Sequence, residues 1–313
     1  MHVVTQIDTI EFLERRFATE ITSVTPIGFG AWSQAFRFDR DGRSWVIRWS
    51  EMPDNFARDA FAVRFVDYGL PVPPVTDVGH DERGYFAIAP FVEGGDFELL
   101  PAEPLERLLP SLLETFRALR RVDLDRLGTS GYGIWDGSGD GLYPSWRTFL
   151  LDDKDDSPGS LIRGWRANLI ASPLGTAAYD DLRQRFTPLV EQCPNERRLV
   201  HSDLINHNVL AAGDRITAVL DWGSALYGDP LWDIAWLAFY EPWYPAFSQI
   251  GLVKCLLDDF ANDPIANLEN VPDRLLCYQL AIGLDSIAYN ASRRDWPNAS
   301  DAAERAFSLL RSA

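Results

Sequence analysis

The segment from His201 to Asp221 constrains the fold of this chain more than any other feature of its sequence. Asp203 follows His201 after one residue, and Asn208 comes after a further four residues. A turn and an apolar strand at 216–220 come next, and Asp221 stands where that strand ends. Because the loop is short and the hairpin turns back on it, we expect the side chains of Asp203, Asn208 and Asp221 to lie close together.

These three side chains are of the types that phosphoryl transfer requires. A carboxylate such as Asp203 takes the proton of the acceptor hydroxyl and holds that hydroxyl in line. An amide oxygen and a second carboxylate, here Asn208 and Asp221, suit a Mg²⁺ ion on nucleotide phosphates. A structural Asp–Asn turn is common, but it does not explain the complete spaced set, so we favour a catalytic function.

The first 92 residues have the pattern of a small β-rich unit. Asp8 and Thr9 are candidates to cap a short helix, and Gly69 should end a second helix at 55–68. Strands are predicted at 35–38, 45–49 and 85–91, the first two joined by a hairpin turn. We therefore predict an N-lobe over residues 1–92, followed by a hinge near 93–95.

The remaining residues have mainly helical patterns and should form a larger C-lobe over residues 93–313. Helices are predicted at 105–122, 176–192, 230–240, 245–260, 272–290 and 299–310. A β-rich island at 199–221 interrupts them, and 128–141 and 152–156 are predicted loops. The fold class is thus α+β with two lobes, and the cleft between the lobes is the expected ligand site.

The charge balance narrows the possible partners. There are 29 Lys and Arg residues against 46 Asp and Glu residues, a formal charge of −17. Such a chain repels nucleic acid and anionic membranes, so neither is expected as a partner, whereas a cationic small molecule is favoured. Solubility alone would also explain an acidic surface.

The cysteines and the N-terminus predict a reduced, cytoplasmic protein. The three cysteines, at 193, 255 and 277, are odd in number and form no C-x-x-C pair, so neither a disulfide framework nor a zinc site is expected. The N-terminal residues show no signal-peptide pattern, and no apolar run is long enough to span a bilayer. We expect a monomer.

The segment 201–210, together with Gly228-Asp229-Pro230, resembles the aminoglycoside phosphotransferase family, which shares its fold with the protein kinases. Further patches resemble the hygromycin B phosphotransferase branch of that family. These patches are 42–48, 70–73, 129–133, 145–149, 215–219 and 282–285. The resemblance runs from about the first predicted helix to the last and implies a two-lobed, protein-kinase-like fold.

The resemblance implies transfer of the γ-phosphoryl group of ATP or GTP, with Mg²⁺, to a hydroxyl of an aminoglycoside or aminocyclitol antibiotic. Such a reaction would inactivate the antibiotic. One alternative is a metabolic kinase that acts on choline, homoserine or a sugar-type alcohol, since one fold serves many substrates. Another is a kinase-shaped scaffold that binds nucleotide without transferring phosphate.

The resemblance also implies roles for individual residues. Asp203 corresponds to the catalytic base, His201 to the histidine that buttresses the loop, and Asn208 and Asp221 to the metal ligands. The residues implied in nucleotide binding are Gly28, Gly30, Ser33, Arg48, Asp59, Ala89, Phe91 and Val92. Arg48 stands where the family usually has Lys, and Asp59 is shorter than the usual Glu partner.

Substrate contacts are less specific in the sequence. Carboxylates should bind a polycationic antibiotic, and Asp233, Glu241 and Asp285 are the candidates. The acidic run 152–156 is an alternative wall for the site, although a solvated loop explains it better. Aromatic faces could pack on sugar rings, although tryptophan is more often core. The aromatic candidates are Trp135, Trp146, Trp236, Trp243 and Tyr240.

Overall fold

The N-terminal part of the chain is built on a five-stranded antiparallel sheet with the order β1-β2-β3-β5-β4. The computed structural model describes residues 4–29, 33–152, 156, 160 and 162–312. The strands are β1 (Thr22–Phe29), β2 (Gln34–Arg40), β3 (Arg43–Ser50), β4 (Asp77–Asp81) and β5 (Gly84–Pro90). Asp41 and Gly42, with φ of 55° and 70°, form the tight turn between β2 and β3, which confirms the predicted hairpin.

Helix α1 (Gln6–Phe17) covers one face of this sheet. Its N-cap is Thr5, which forms a reciprocal capping box with Asp8, so the helix begins before the predicted cap at Asp8 and Thr9. Phe12 packs edge-on against Trp49 of β3, with ring centroids 4.8 Å apart. This apolar contact joins the helix to the sheet in a small core of their own.

Helix α2 (Pro53–Ala62) connects the sheet to the C-terminal core. A 3₁₀ helix at Val63–Tyr68 follows α2 directly. Gly69 ends it with φ of 91°, which agrees with the predicted end of the helix at 55–68. The ring of Phe61 in α2 packs 5.3 Å from Trp135, a residue of the C-terminal part. The α2 segment is therefore anchored in the larger core although it follows β3 in the chain.

The C-terminal part contains α3 to α11 and the short strands β6 to β12. The helices are α3 (Ala102–Arg121), α4 (Trp146–Leu151), α5 (Trp165–Ala171), α6 (Ala177–Leu189), α7 (Leu231–Tyr240), α8 (Pro245–Ile250), α9 (Leu252–Ala261), α10 (Val271–Arg293) and α11 (Trp296–Ser312). The strands are β6 (Gly95–Asp96), β7 (Tyr132–Trp135), β8 (Gly141–Tyr143), β9 (Arg198–Val200), β10 (Val209–Ala212), β11 (Arg215–Val219) and β12 (Leu226–Gly228). Among the helices of the described ranges, none combines the length and apolarity that a bilayer crossing requires.

Three sequence predictions differ from this arrangement. The helix predicted at 245–260 is two helices, because Gly251 adopts φ of 62° between α8 and α9. The predicted loop 128–141 contains β7 and reaches β8, and β7 pairs with β12 in a four-stranded sheet. The short helices α4 and α5 were not predicted, because each is shorter than two full amphipathic periods.

The predicted hinge at 93–95 lies against the strand that follows the 201–208 loop. Strand β6 pairs antiparallel with β10, with Asp96 opposite Leu210. A side chain at Gly94 would meet Thr217 Oγ1 at 2.9 Å and the backbone oxygen of Ala211 at 3.1 Å, so the approach of the two segments requires glycine there. The hinge and the loop are thereby held in one unit.

A buried ion pair fixes the start of α7. Asp229 accepts hydrogen bonds from the guanidinium of Arg274 at 2.9 Å and from the Tyr278 hydroxyl at 2.6 Å. The Asp229 carboxylate also accepts the backbone N–H of Leu231, the first residue of α7, at 3.0 Å, although the N-cap position itself is occupied by Pro230. Both charged side chains are fully buried, so neither can be solvated if its partner is lost.

We expect the substitution Arg274→Met to lower the free energy of unfolding by about 3–5 kcal/mol, because it leaves the Asp229 carboxylate buried without its cation. Urea unfolding followed by circular dichroism measures this loss. Arg107→Met is the matched control, since it breaks an exposed pair with Glu103 and should cost less than about 1 kcal/mol. Equal losses in the two variants would contradict the buried-pair interpretation.

Candidate active site

The carboxylate of Asp203 is held by two asparagine side chains. Asn206 Nδ2 donates to Asp203 Oδ1 at 2.8 Å, and Asn208 Nδ2 donates to Asp203 Oδ2 at 3.0 Å. Asn208 Nδ2 also donates to the backbone oxygen of Asp203 at 2.9 Å. The structure therefore brings Asp203 and Asn208 together, and the two amides fix the orientation of the carboxylate.

The environment of Asp203 suits a proton acceptor. Burial raises the pKa of its carboxyl to about 7, against the opposing effect of the Asn206 hydrogen bond. The negative charges of Asp221 and Glu98 raise the pKa further. A carboxylate whose pKa lies near the working pH accepts a proton efficiently in a transition state.

His201 is a positioning residue rather than an acid or a base. Its Nε2–H donates to the backbone oxygen of Leu220 at 2.9 Å, and its Nδ1 accepts the backbone N–H of Asp203 at 3.3 Å. Burial lowers the pKa of the imidazole to about 4, so the ring is neutral at physiological pH. The ring thus ties the Asp203 loop to the residue before Asp221, which agrees with the buttressing role that the resemblance implies.

Asp233 supports the same loop from the first turn of α7. Its two carboxylate oxygens accept the backbone N–H groups of His201 at 3.0 Å and of Ser202 at 2.7 Å. The residue is only 2% exposed. This placement contradicts the expectation that Asp233 contacts substrate. Its hydrogen bonds hold Ser202 in the left-handed region, with φ of 67°.

Asp221 stands beside the Asp203 loop. The backbone N–H of Leu220 donates to the backbone oxygen of Asn208 at 2.7 Å, which brings the end of β11 onto the loop. Asp221 itself has φ of 57°, a conformation that turns the chain sharply after the strand. The Asp221 side chain is about one-third exposed and lies 3.8 Å from Arg48 Nη2.

The buried Asp59 forms an ion pair with the partly buried Arg48 beside Asp221. Arg48 Nη1 donates to Asp59 Oδ2 at 2.5 Å, while Asp59 Oδ1 accepts the backbone N–H of Trp222 at 2.9 Å. Burial would lower the pKa of Arg48, but Asp59 and Asp221 raise it, so the guanidinium remains charged. The longer cation and the shorter acid close the pair that the family resemblance implies.

The oxygen atoms that the side chains of Asn208 and Asp221 offer beside the Asp203 loop suit a Mg²⁺ ion. Both hydrogen bonds of Asn208 use Nδ2, and within the described part of the chain its Oδ1 accepts none. Oxygen atoms of amides and carboxylates, here from Asn208 and Asp221, are the ligands that Mg²⁺ prefers. No group of three or more His, Cys, Asp or Glu side chains arranged to hold a metal occurs among the described residues. Nucleotide phosphates and water would complete the coordination sphere.

The residues proposed to cover the nucleotide are only partly described. Gly28 lies in β1 opposite Ala35, with open space where a side chain would be, and Ser33 immediately precedes β2. Gly30 lies outside the described residues. The tip of the β1–β2 hairpin is therefore not assigned a contact.

The hinge residues differ in what their backbone can offer. Ala89 lies opposite Val46 in the β3–β5 pair. The N–H of Phe91 donates to the backbone oxygen of Ser44 at 3.0 Å, so this donor cannot bind adenine, contrary to expectation. Val92 follows it, and its backbone N–H makes no hydrogen bond to any residue that the structure describes.

The remaining candidate substrate residues lie in different surroundings. Glu241 is half-buried at the end of α7, and burial raises its pKa while Arg305 lowers it. Asp285 lines a cavity of about 10 Å³ beside Arg183 and Trp232, which is too small for a sugar ring. In the acidic run, Asp152 accepts the Tyr143 hydroxyl at 2.7 Å, whereas residues 153–155 lie outside the described ranges.

The aromatic candidates divide by burial. Trp135 and Trp146 are fully buried, so they cannot contact a sugar. Tyr240 lies 5.1 Å from Trp236 and 5.9 Å from Trp243, measured between ring centroids. Trp243 is 42% exposed, and the three rings lie at the C-terminal end of α7 and in the turn after it.

Sequence reasoning missed two residues near Asp203. Glu98 is buried in the 3₁₀ turn at Phe97–Leu99, and its Oε1 accepts the backbone N–H of His207 at 2.7 Å. Burial raises the pKa of the Tyr244 hydroxyl, and the nearby carboxylates of Glu98 and Asp203 raise it further. A lone acid within the apolar run 97–100 was the available signal for Glu98, whereas nothing in the sequence distinguished Tyr244.

The antiparallel sheet, the hinge, the helical lobe and the Arg48–Asp59 pair above the Asp203 loop define a two-lobed, protein-kinase-like phosphotransferase fold. The model of the phosphotransferase enzyme family (APH) matches residues 23–253, and the chain belongs to this family. The resemblance inferred from the sequence motifs is thereby confirmed.

Individual relatives agree with this assignment. The chain is 29% identical over 305 residues to the hygromycin-B 4-O-kinase of Escherichia coli, covering 96% of this chain and 84% of the relative. The crystal structure of aminoglycoside phosphotransferase APH(4)-Ia is similar with a TM-score of 0.84 at 28% identity, covering 99% of both chains. A thermostable mutant of APH(4)-Ia, in a ternary complex with AMP-PNP and hygromycin B, has a TM-score of 0.82 at 29% identity and covers 97% of this chain and 98% of its own.

The substitution Arg48→Lys should lower kcat/KM for the nucleotide about tenfold, because Lys lacks the planar fork and is too short to reach Asp59 and Asp221 together. Adding Asp59→Glu should recover part of the loss, since the longer acid closes the gap. Steady-state kinetics on the double-mutant cycle measure the coupling, expected to exceed about 1 kcal/mol. Arg43→Lys, at an exposed position of the same strand, is the control. Strictly additive losses would show that the two residues do not act as a pair.

Proposed function

We propose that this protein transfers the γ-phosphoryl group of ATP, with Mg²⁺, to a hydroxyl of an aminoglycoside antibiotic of the hygromycin B type. The observation that carries the proposal is the Asp203 carboxylate, which Asn206 and Asn208 orient and whose pKa the charge of Asp221 helps to raise. A relative named hygromycin-B 4-O-kinase and a similar structure that binds AMP-PNP and hygromycin B support the choice of nucleotide and acceptor. The product would be an inactivated antibiotic.

Asp203 acts as the base in this proposal. Its carboxylate accepts the proton of the acceptor hydroxyl while the hydroxyl oxygen bonds to the γ-phosphorus. The bond from the γ-phosphorus to the β–γ bridging oxygen breaks, and ADP leaves with the electron pair. The guanidinium of Arg48 provides a fixed positive charge on the nucleotide side. Asn208 and Asp221 would hold Mg²⁺, which supplies charge neutralisation at the phosphates.

The acceptor is expected to be a cation. The chain carries a formal charge of −17, the carboxylates of Asp96 and Glu98 lie beside His207, and the charge of Glu98 also acts on Asp203. Protonated amines of an aminoglycoside complement such a surface. Glu241 and the rings of Tyr240 and Trp243 remain proposed substrate contacts at the end of α7. Nucleic acid and membranes are not proposed as partners.

We further infer that the protein acts in the cytoplasm as a monomer. Its proposed co-substrate is ATP, which the cytoplasm supplies, and its three cysteines are unpaired. Every side chain used in the proposed reaction comes from one chain. A second copy is therefore not needed to complete the site.

The proposal is tested by ADP release with Mg²⁺ and ATP against hygromycin B, other aminoglycosides, choline, homoserine and simple sugars. We expect turnover with one or more aminoglycosides, and a loss of at least about 10³-fold in Asp203→Asn with nucleotide binding retained. Asp214→Asn, in an exposed turn, is the matched control. Turnover with choline or a sugar alone would contradict the proposed aminoglycoside acceptor. Retained activity in Asp203→Asn would contradict the assignment of Asp203 as the base.

The same variant has a pH signature in stability. Burial raises the pKa of Asp203 from 3.8 to about 7, so its ionisation opposes folding as the pH rises through this range. Asp203→Asn should therefore unfold at a higher temperature than the parent at pH 8, by roughly 2–6 °C, and the difference should shrink towards pH 4. Scanning calorimetry of the metal-free protein measures it. A difference that does not vary with pH would contradict the raised pKa.

A further inference from the structure

We propose that Glu98 is a positioning residue of the phosphotransfer site, which holds the turn at Asn206 and His207 so that the side chains on either side of that turn orient Asp203. The inference rests on the proposed function, in which Asp203 is the base. None of the family motifs in the sequence includes Glu98.

The turn that Glu98 holds is unusual. Asn206 and His207 both adopt the left-handed region, with φ of 65° and 68°. Two successive residues with side chains rarely adopt this conformation, because the Cβ atom crowds the backbone. The turn directs Asn206 and Asn208 onto the two oxygens of the Asp203 carboxylate. Its conformation therefore has to be imposed by contacts with other segments.

Glu98 supplies the buried contact. Its Oε1 accepts the backbone N–H of His207 at 2.7 Å, and its side chain is only 2% exposed. A hydrogen bond from a backbone N–H to a carboxylate is short and strong in such surroundings. The contact is therefore well placed to fix the backbone at His207, directly between the two asparagines.

The other oxygen of Glu98 shows that this contact is costly to maintain. Oε2 is buried and has no hydrogen-bond partner among the residues that the structure describes. A buried carboxylate with an unsatisfied oxygen disfavours folding, and an apolar side chain of similar size would avoid the penalty. The presence of an acid at position 98 is thus better explained by the hydrogen bond of Glu98 to the loop than by a contribution to core packing.

The fold places Glu98 accurately at the loop. Strand β6 precedes it and pairs with β10, so Gly95 and Asp96 lie opposite Ala211 and Leu210. Asp96 Oδ2 also contacts His207 Nδ1 at 2.8 Å, but the His207 side chain is 69% exposed, so water competes with that pair. The buried contact of Glu98 is accordingly the stronger of these two restraints on His207.

The proposal is tested with Glu98→Met, which keeps the volume and removes the acceptor, and Glu98→Gln, which keeps an acceptor oxygen. We expect Glu98→Met to lower kcat about 10- to 100-fold with KM for ATP changed less than about threefold, because a misplaced base slows the chemical step. Glu98→Gln should retain at least about a third of kcat. Glu103→Gln, an exposed acid five residues later, is the control for lost charge.

Hydrogen–deuterium exchange of peptides over 203–209 provides a readout that does not depend on turnover. It should accelerate in Glu98→Met and not in Glu98→Gln, while the Tm of Glu98→Met should not fall, since an unsatisfied charge has been removed. Unchanged kcat and exchange in Glu98→Met would overturn the proposal. A raised KM for the acceptor in both variants would also overturn it and would assign Glu98 to substrate binding. If the parent phosphorylates no acceptor, the proposed function fails, whereas the exchange result still decides the role of Glu98 in the loop.

Discussion

The bridging carboxylate of Asp59 is the contact on which the rest of the site depends. One oxygen binds Arg48 on the central strand of the sheet, and the other accepts the N–H of Trp222, directly after Asp221. Arg58, its neighbour on α2, donates to the backbone oxygen of Gly223 at 2.6 Å. A single helix turn therefore joins Arg48, the positive charge that we propose for the nucleotide side, to the turn that carries the proposed metal ligand Asp221. Because Asp59 is buried, the loss of either contact would leave its carboxylate without a partner, which is costly.

Residues with strained backbone conformations and buried polar side chains are concentrated around the Asp203 loop. Nine residues other than glycine adopt positive φ in the described ranges, and four of them lie between 202 and 221. Asp233 and His201 hold this backbone from below, and Glu98 holds it from the hinge side. Such conformations persist where surrounding contacts impose them, and they are typical of sites that orient reacting groups. Burial of the large apolar core beneath the loop offsets the free-energy cost of these conformations and buried polar groups.

The elements with strong local signals were predictable from the sequence. The β2–β3 hairpin has a turn at Asp41 and Gly42 that only a few residue types adopt, and the long helix α3 follows apolar periodicity. The strands at 132–135 and 141–143 were missed because a segment rich in Gly, Ser and Asp gives no strand pattern. They pair with each other, and β7 also pairs with β12, which lies more than 80 residues later in the chain.

The sequence by itself determined the family and which residues form the proposed centre of the site, because Asp203, Asn208 and Asp221 lie within one short loop and hairpin whose geometry is local. Only the tertiary structure decided which other polar residues serve that core. Asp233 has the sequence pattern of a substrate contact, but its place at the start of α7 turns it towards the backbone of His201 and Ser202. Glu98 is remote in sequence and reaches His207 only because β6 pairs with β10. The physical reason is that burial and hydrogen-bond partners are set by which elements pack together, and no local pattern of residue types records that packing.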